Sequence, residues 1–143
     1  METIDIDQDG DLDILSMGRS SINGVNVYST KLLLNDGAAN FSPMENTPFI
    51  GSHFGDADFG DVDSDGDLDI LIVGEKQTGG TPTGSLYINQ GSAGFTVADP
   101  NPIPAVKDSE VEFFDFNGDP HLDILVAGTT GTLGLGRFTK IFT

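Results

Sequence analysis

The chain has 143 residues, of which 23 are acidic and 6 are basic, so its formal net charge at neutral pH is -17. This charge repels nucleic acids and anionic membrane surfaces and attracts cations, which argues against a nucleic-acid-binding function. Cysteine is absent, which excludes disulfides and thiolate metal sites, and no apolar stretch approaches the roughly 20 residues of a membrane span.

An acidic segment that occurs three times organises the chain. Its copies begin at Asp5, Asp61 and Asp115, which are 56 and 54 residues apart. Each copy is followed at the same offset by an apolar run, which is Ile14-Leu15, Ile70-Leu71 or Ile124-Leu125. A period of about 50 residues is typical of β-propeller blades.

Each repeat is predicted to contain a strand into the acidic loop, a strand out of it, a third strand as at residues 85–88, and a short fourth strand as at 95–98. The predicted fold is all-β: a partial β-propeller of about three four-stranded antiparallel blades. We expect one domain over residues 1–143, with repeats at 1–48 and 49–103 and an incomplete repeat at 104–143. Because propellers have four to eight blades, the chain is expected to be a fragment, a self-associating piece or an open array.

The nearly continuous apolar run at residues 122–127 predicts a strand that neighbouring blades cover on both faces. The glycine-rich stretches 78–81 and 131–136 lack the Lys-Ser/Thr ending of a phosphate-binding loop. They are predicted to be hairpin connections.

The first two acidic loops match the pattern DxDxDGxxD. Hard divalent cations take several oxygen ligands at once, and carboxylates at alternate positions converge where a glycine allows a sharp bend. Repulsion within such a cluster also favours a bound cation over an ordinary acidic turn. The predicted metal-site residues are Asp5, Asp7, Asp9, Asp11 and Asp13 in the first loop, and Asp61, Asp63, Asp65, Asp67 and Asp69 in the second.

Within each loop, side chains at positions 1, 3, 5 and 9 and the backbone carbonyl of position 7 are the expected ligands. An EF-hand also begins this way, but it requires a glutamate at position 12 and a helix on each side. Position 12 is Ser16, Ile72 or Val126, and the flanks are strand-like. The sequence therefore argues against an EF-hand.

The third loop keeps oxygen ligands, and its predicted metal-site residues are Asp115, Asn117, Asp119, His121 and Asp123. It has Pro120 where the other loops have glycine, and proline cannot adopt positive φ. If the turn needs a left-handed residue there, this loop must distort or lose its ion. The predicted order of calcium affinity is the second loop, then the first, which lies near a chain end that can fray, then the third.

The run Phe59-Gly60 and the acidic loop that follows it, together with Leu86-Tyr87-Ile88-Asn89 further on, resemble the FG-GAP and VCBS repeats of integrin-like propellers, particularly bacterial ones. The resemblance implies calcium in the hairpin between the first two strands of a blade. It also implies a secreted or cell-surface protein that binds a protein or glycan ligand through propeller faces. The first residues lack signal-peptide features, so the targeting segment is expected to lie outside this chain.

The predicted function is therefore a non-catalytic calcium-binding module for extracellular adhesion or ligand recognition. The alternatives are a purely structural spacer in a large surface protein, or a part of a secreted polysaccharide-degrading enzyme, since some lyases have similar calcium propellers. Catalysis would have to draw on His53, His121 or an acid–base pair of Asp56 and Asp58. A structural role is favoured for each, with the two aspartates capping the acidic strand or extending the second ion site.

Overall fold

The computed structural model describes residues 1–76, 80–131 and 136–143, and in these ranges the chain forms twelve β-strands and a short 3-10 helix at Gly91–Ala93. The strands in chain order are β1 (Glu2–Ile4), β2 (Asp13–Ile22), β3 (Val25–Asn35), β4 (Phe41–Pro43), β5 (Ser52–His53), β6 (Ala57–Gly60), β7 (Asp69–Lys76), β8 (Thr81–Asn89), β9 (Phe95–Val97), β10 (Lys107–Phe114), β11 (Asp123–Thr130) and β12 (Gly136–Phe142). None of the described residues belongs to a helix long and apolar enough to cross a membrane.

The strands form three consecutive antiparallel sheets. The first sheet has the order β1-β2-β3-β4, and the third has the order β10-β11-β12. In the middle sheet, β7 pairs with β8 and β8 with β9, while β5 and β6 both pair with β7. The expected all-β architecture of consecutive propeller-like sheets is confirmed. Within the described residues, four continuous strands occur only in the first sheet, because the third has three strands and the middle sheet divides its first strand in two.

A bulge with a left-handed residue interrupts the first strand of the second and third repeats at the same place. Phe54, with φ of 49°, separates β5 from β6, and Asp108, with φ of 46°, lies at a shift of register within β10. At the next position, a Cβ on Gly55 would lie 1.9 Å from the carbonyl oxygen of Val73. Only glycine fits there, so the backbones of β7 and this bulge can touch.

The middle sheet packs against the other two sheets, one on each face. Alternate side chains of a strand point to opposite faces, so β7 contributes to two apolar clusters and is buried throughout Asp69–Glu75. The cluster between the first and middle sheets consists of the buried residues Ile6, Leu15, Leu32, Ala57, Ile70, Ile72, Tyr87 and Phe95. Those facing the third sheet are grouped as Leu71, Val73, Leu86, Ile103, Val106, Val111, Ile124 and Val126.

Burial on both faces, which the apolar run at 122–127 predicted, is found in the middle sheet but not in the third. Ile124 and Val126 of β11 are buried against the middle sheet, whereas Leu125 and Ala127 on the opposite face are only half-buried. Among the described strands, none packs on that opposite face. The outer face of the third sheet therefore has apolar residues that are partly accessible, next to the exposed Glu110 and Glu112.

Residues 78 and 79 and residues 132–135 of the two predicted hairpin connections lie outside the described residues. On either side of these stretches the strands pair in antiparallel register, with Lys76 opposite Thr81 and Thr130 opposite Gly136.

Candidate metal centres

Each acidic loop connects the first strand of a sheet to the second. The first loop joins β1 to β2, the second joins β6 to β7, and the third joins β10 to β11. All six flanking elements are strands, so the sequence-based argument against an EF-hand is confirmed. The three loops consequently occupy equivalent positions in three successive sheets.

Carboxylates converge in the first loop. One oxygen from each of Asp5, Asp7 and Asp13 can be chosen so that all three lie within 4.8 Å of one another. Asp5 Oδ2 accepts the backbone N–H of Gly10 at 3.0 Å, but Asp5 Oδ1 is buried and has no hydrogen-bond partner among the described residues. A buried, unpaired carboxylate oxygen is costly unless a cation or a water compensates it, so these residues fit a metal ion.

The electrostatics of Asp7 are consistent with such a site. Burial raises the pKa of this carboxyl above its ordinary value, and the negative charges of Asp13 and Asp9 raise it further. Placing like charges together disfavours the ionised form, whereas a divalent cation would favour it.

The second loop repeats this arrangement with a different trio. Oxygens of Asp61, Asp63 and Asp65 lie within 4.8 Å of one another. Asp61 accepts the N–H groups of Asp65 and Gly66, both at 3.1 Å. These hydrogen bonds fix the conformation of the turn. Among the described residues, no hydrogen bond to the Asp63 side chain competes with an ion.

The aspartate at position 9 has a structural function that the sequence did not reveal. Asp13, Asp69 and Asp123 are all fully or almost fully buried. Each accepts the backbone N–H of the residue at loop position 2, and the donors are Ile6 at 3.0 Å, Val62 at 2.9 Å and Phe116 at 2.6 Å. The other oxygen of Asp13 and of Asp69 accepts the N–H of Asn35 and of Asn89, respectively, both at 2.8 Å.

This carboxylate therefore ties the acidic loop to the end of the third strand. Burial raises the pKa of Asp69, although the hydrogen bonds from Asn89 and Val62 counteract part of the effect. The recurrence of an asparagine at the end of the third strand, as Asn35 and Asn89, was the available sequence signal for this contact. The prediction that position 9 also contributes a metal ligand remains a prediction.

The side chain at position 7 lies against the turn that follows the third strand. A Cβ on Gly37 would lie 2.5 Å from Asp11 Oδ2, and one on Gly91 would lie 3.1 Å from Asp67 Oδ2. Both glycines also have positive φ, of 75° and 56°. The predicted ligand at this position is the backbone carbonyl, which this placement of the side chain leaves open.

Pro120 changes the geometry of the third loop. Gly10 and Gly66 have φ of 98° and 96°, whereas Pro120 is not among the residues with positive φ. Since proline has no N–H, the bond to the first aspartate comes instead from Gly118, which donates to Asp115 Oδ1 at 2.6 Å.

The remaining third-loop candidates are used in local turns. Asn117 Oδ1 accepts the N–H of Asp119, and Asp119 Oδ1 accepts the N–H of His121, both at 2.8 Å. Among the described residues, clusters of three acidic or histidine ligands occur in the first and second loops and not in the third. The lower rank given to the third loop stays a prediction.

His53 lies between two aromatic rings in the interior. Its ring centroid is 3.9 Å from that of Tyr28 and 4.1 Å from that of Phe54, and its Nδ1 is 3.4 Å from the carbonyl oxygen of Glu75. The residue is 8% exposed. This environment suits packing between sheets better than contact with a substrate.

Asp56 and Asp58 join two sheets. Asp56 Oδ2 accepts the backbone N–H of Val111 at 3.1 Å, and Asp58 Oδ2 accepts that of Phe113 at 2.6 Å. Neither of the functions favoured from the sequence, capping the acidic strand or extending the second ion site, describes these contacts. The pair is instead an inter-sheet clamp, which we call the acidic clamp.

Comparison with known families gives one result. A family model described as an FG-GAP-like repeat matches the chain twice, over residues 5–72 and 61–126. The two matches begin at the first and second acidic loops and together extend past the third. Searches of curated proteins and of solved structures find no match.

Proposed function

Since the chain belongs to the FG-GAP-like repeat family, we propose that it is a calcium-binding, non-catalytic module of a secreted or cell-surface protein, acting in adhesion or ligand recognition. The observation that supports calcium binding best is the convergence of Asp5, Asp7 and Asp13 around a buried carboxylate oxygen of Asp5 that has no partner among the described residues.

The donor set favours calcium over other common metals. Both clusters consist of carboxylates alone, and oxygen-only sites are typical of calcium and magnesium, whereas zinc prefers nitrogen and sulfur. Calcium accepts six to eight oxygens in flexible geometry, so carbonyl groups and waters can complete a loop site. Asp5, Asp7 and Asp13 would hold one ion, and Asp61, Asp63 and Asp65 would hold another.

Bound calcium would act mainly on stability. Each loop connects the first two strands of its sheet, and position 9 ties the loop to the third strand, so an ion that neutralises the loop supports three strands. Because a formed site rarely exists in an unfolded chain, the binding free energy adds to the folding free energy. Calcium would thus stiffen the sheets that present the recognition surface.

A cavity between the first loop and the middle sheet is a candidate place for ligand recognition. It has a volume of about 240 Å³ and is lined by the apolar residues Leu34, Met44 and Phe95 and by the carboxylates of Asp7 and Asp67. Since Asp7 is also a candidate calcium ligand, an ion in the first loop would change the charge that a protein or glycan ligand meets at this cavity.

The proposal is tested by counting calcium ions and measuring their affinity. Native mass spectrometry and calorimetry should find two calcium ions on the wild-type chain. Asp7→Asn should remove the first and Asp63→Asn the second, whereas Asp99→Asn, at an exposed position outside the loops, should remove neither. Failure of the wild-type chain to bind in millimolar calcium would refute calcium binding.

The recognition part of the proposal needs a separate assay. Glycan arrays and pull-downs with cell-surface proteins, each with calcium and with EDTA, should show calcium-dependent binding without sugar release. Release of sugars from algal or plant polysaccharides would instead support the alternative of a polysaccharide-degrading protein.

A further inference from the structure

The junction between the middle and third sheets shows what one repeat offers to the next. On the outer edge of β6 the acidic clamp of Asp56 and Asp58 accepts N–H groups from β10. On the same face, Leu71 and Val73 of β7 are 0% exposed because the third sheet covers them. The junction therefore combines hydrogen bonds at β6 with apolar contacts of the neighbouring strand β7.

The third sheet carries the same arrangement on its outer face. Glu110 and Glu112 follow Asp56 and Asp58 by 54 residues, and Glu112 lies opposite Leu125 as Asp58 lies opposite Leu71. Both glutamates are exposed, and Leu125 is half-buried. The third sheet thus presents a second acidic clamp to which no strand of this chain is bound within the described residues.

The first sheet presents the complementary face at the other end of the chain. Ile14 and Leu33 lie opposite each other in β2 and β3, as Ile70 and Tyr87 do in the middle sheet. Ile70 is 0% and Tyr87 is 1% exposed, whereas Ile14 and Leu33 are only half-buried.

Among the described strands, β1 pairs only with β2, and its residues have the register of a clamp partner. Thr3 lies opposite Ile14 in the same way that Phe113, which donates to Asp58, lies opposite Ile124. In the first repeat, Glu2 is the counterpart of Asp58. The pairs Asp56 and Asp58 and Glu110 and Glu112 form the clamps of the second and third repeats.

We propose that the outer face of the third sheet binds the outer face of the first sheet of a second copy of this chain. In this head-to-tail contact, Glu112 accepts the backbone N–H of Thr3 of that copy, and Leu125 packs against its Ile14 and Leu33. A second copy is the expected occupant because its face has the same residue positions that are already paired at the junction between the middle and third sheets. The proposal rests on the repeat and its register and does not depend on calcium.

Two properties of the contact follow from its geometry and charge. A head-to-tail contact joins two different surfaces, so it either closes into a ring or continues as an open polymer. Each chain has a net charge of -17, so copies repel at low ionic strength and salt should strengthen their association.

The primary test is sedimentation velocity of the whole chain over about two decades of concentration, at moderate salt and in calcium. We expect concentration-dependent association of the wild type. The double variant Glu110→Lys/Glu112→Lys should weaken it about tenfold or more, because the charged acceptor Glu112 is lost and the clamp becomes positive. The control Glu45→Lys/Asp99→Lys changes the net charge equally at exposed positions outside the face and should associate like the wild type or more tightly.

A mixing experiment tests the head-to-tail direction. Leu33→Lys damages the first-sheet face, and Glu110→Lys/Glu112→Lys damages the third-sheet face, so each variant alone should be monomeric. Mixed, they should form a one-to-one dimer through the two intact faces. Circular dichroism spectra like that of the wild type would show that each variant is folded.

A wild-type chain that stays monomeric at the highest concentration overturns the proposal, and so does equal association of the glutamate variant and its control. Self-association of the Leu33→Lys variant alone would show a different contact and overturn it as well. The number of calcium ions that the chain binds does not depend on self-association, so either proposal can be refuted without the other.

Discussion

Replacement of Asp69 by alanine tests whether the aspartate at position 9 stabilises the fold through hydrogen bonds rather than only as a metal ligand. Asp69 is 0% exposed and accepts N–H groups from Val62 at 2.9 Å and from Asn89 at 2.8 Å. Asp69→Ala leaves the buried N–H of Asn89 and the partly buried N–H of Val62 without this acceptor. The homologous Asp123 accepts one such bond, from Phe116 at 2.6 Å.

The magnitude follows from the number of donors left without a partner. An unsatisfied buried donor costs about 1 to 3 kcal/mol, so Asp69→Ala loses about 2 to 6 kcal/mol from this source. Part is regained, because burial raises the pKa of Asp69 and so disfavours its charge. We expect a net loss near 3 kcal/mol, against about 1.5 kcal/mol for Asp123→Ala. Both values are substantial beside a total stability of about 5 to 15 kcal/mol.

The measurement is urea unfolding at low temperature, followed by far-UV circular dichroism in EDTA so that metal binding does not contribute. The free energies of unfolding of the two variants should differ by about 1 kcal/mol or more, with similar m-values. Asp13→Ala, which also leaves two donors, should resemble Asp69→Ala. Equal effects of Asp69→Ala and Asp123→Ala in EDTA would refute the reasoning.

Three further predictions concern the loops and the bulge. Pro120→Gly restores the N–H and the left-handed conformation at position 6, so calorimetry should show tighter calcium binding by the third loop, and an unchanged titration would contradict this. The second prediction concerns pH in EDTA. Because the pKa of Asp69 is raised in the folded state, its contribution to stability is greatest below the unfolded-state aspartate pKa and is lost as pH rises through the folded-state pKa. Melting temperatures should therefore fall with rising pH across that window, and saturating calcium should reverse the trend because protons compete with the ion. Gly55→Ala places a Cβ 1.9 Å from the Val73 carbonyl oxygen and should cost about 3 kcal/mol or more in thermal or urea unfolding, whereas Gly18→Ala, with nothing within 4 Å, should be nearly neutral.

The sequence predicted the parts of this molecule that depend on local spacing. Strands, loop positions and the repeat could be predicted because each acidic loop, with its glycine and following apolar run, recurs at a constant period. The third loop differs as expected at Pro120, since a local restriction on φ is readable from one residue. The convergence of Asp5 with Asp7 needs only a tight turn.

Contacts between distant segments were not predictable in the same way. Asp56 and Asp58 bind strand β10 from 55 residues away, and nothing in their own neighbourhood distinguishes that partner from a nearby ion. The apolar run that contains Leu125 has the composition of a strand covered on both faces, but composition does not specify where the covering sheet comes from. The division of the middle sheet's first strand at Phe54 likewise depends on the close approach of β7 to the bulge.

Because the middle sheet belongs to both apolar clusters, the three repeats are not independent folding units. Detaching either outer sheet would expose one entire face of β7, including Ile70 and Ile72 on one side or Leu71 and Val73 on the other. Loss of an end repeat therefore removes support from its neighbour, as in repeat proteins whose stability is dominated by nearest-neighbour interfaces. The described sheets should unfold together in a single transition. The free energy of unfolding of a truncated chain with only two repeats should be much less than two thirds of that of the whole chain.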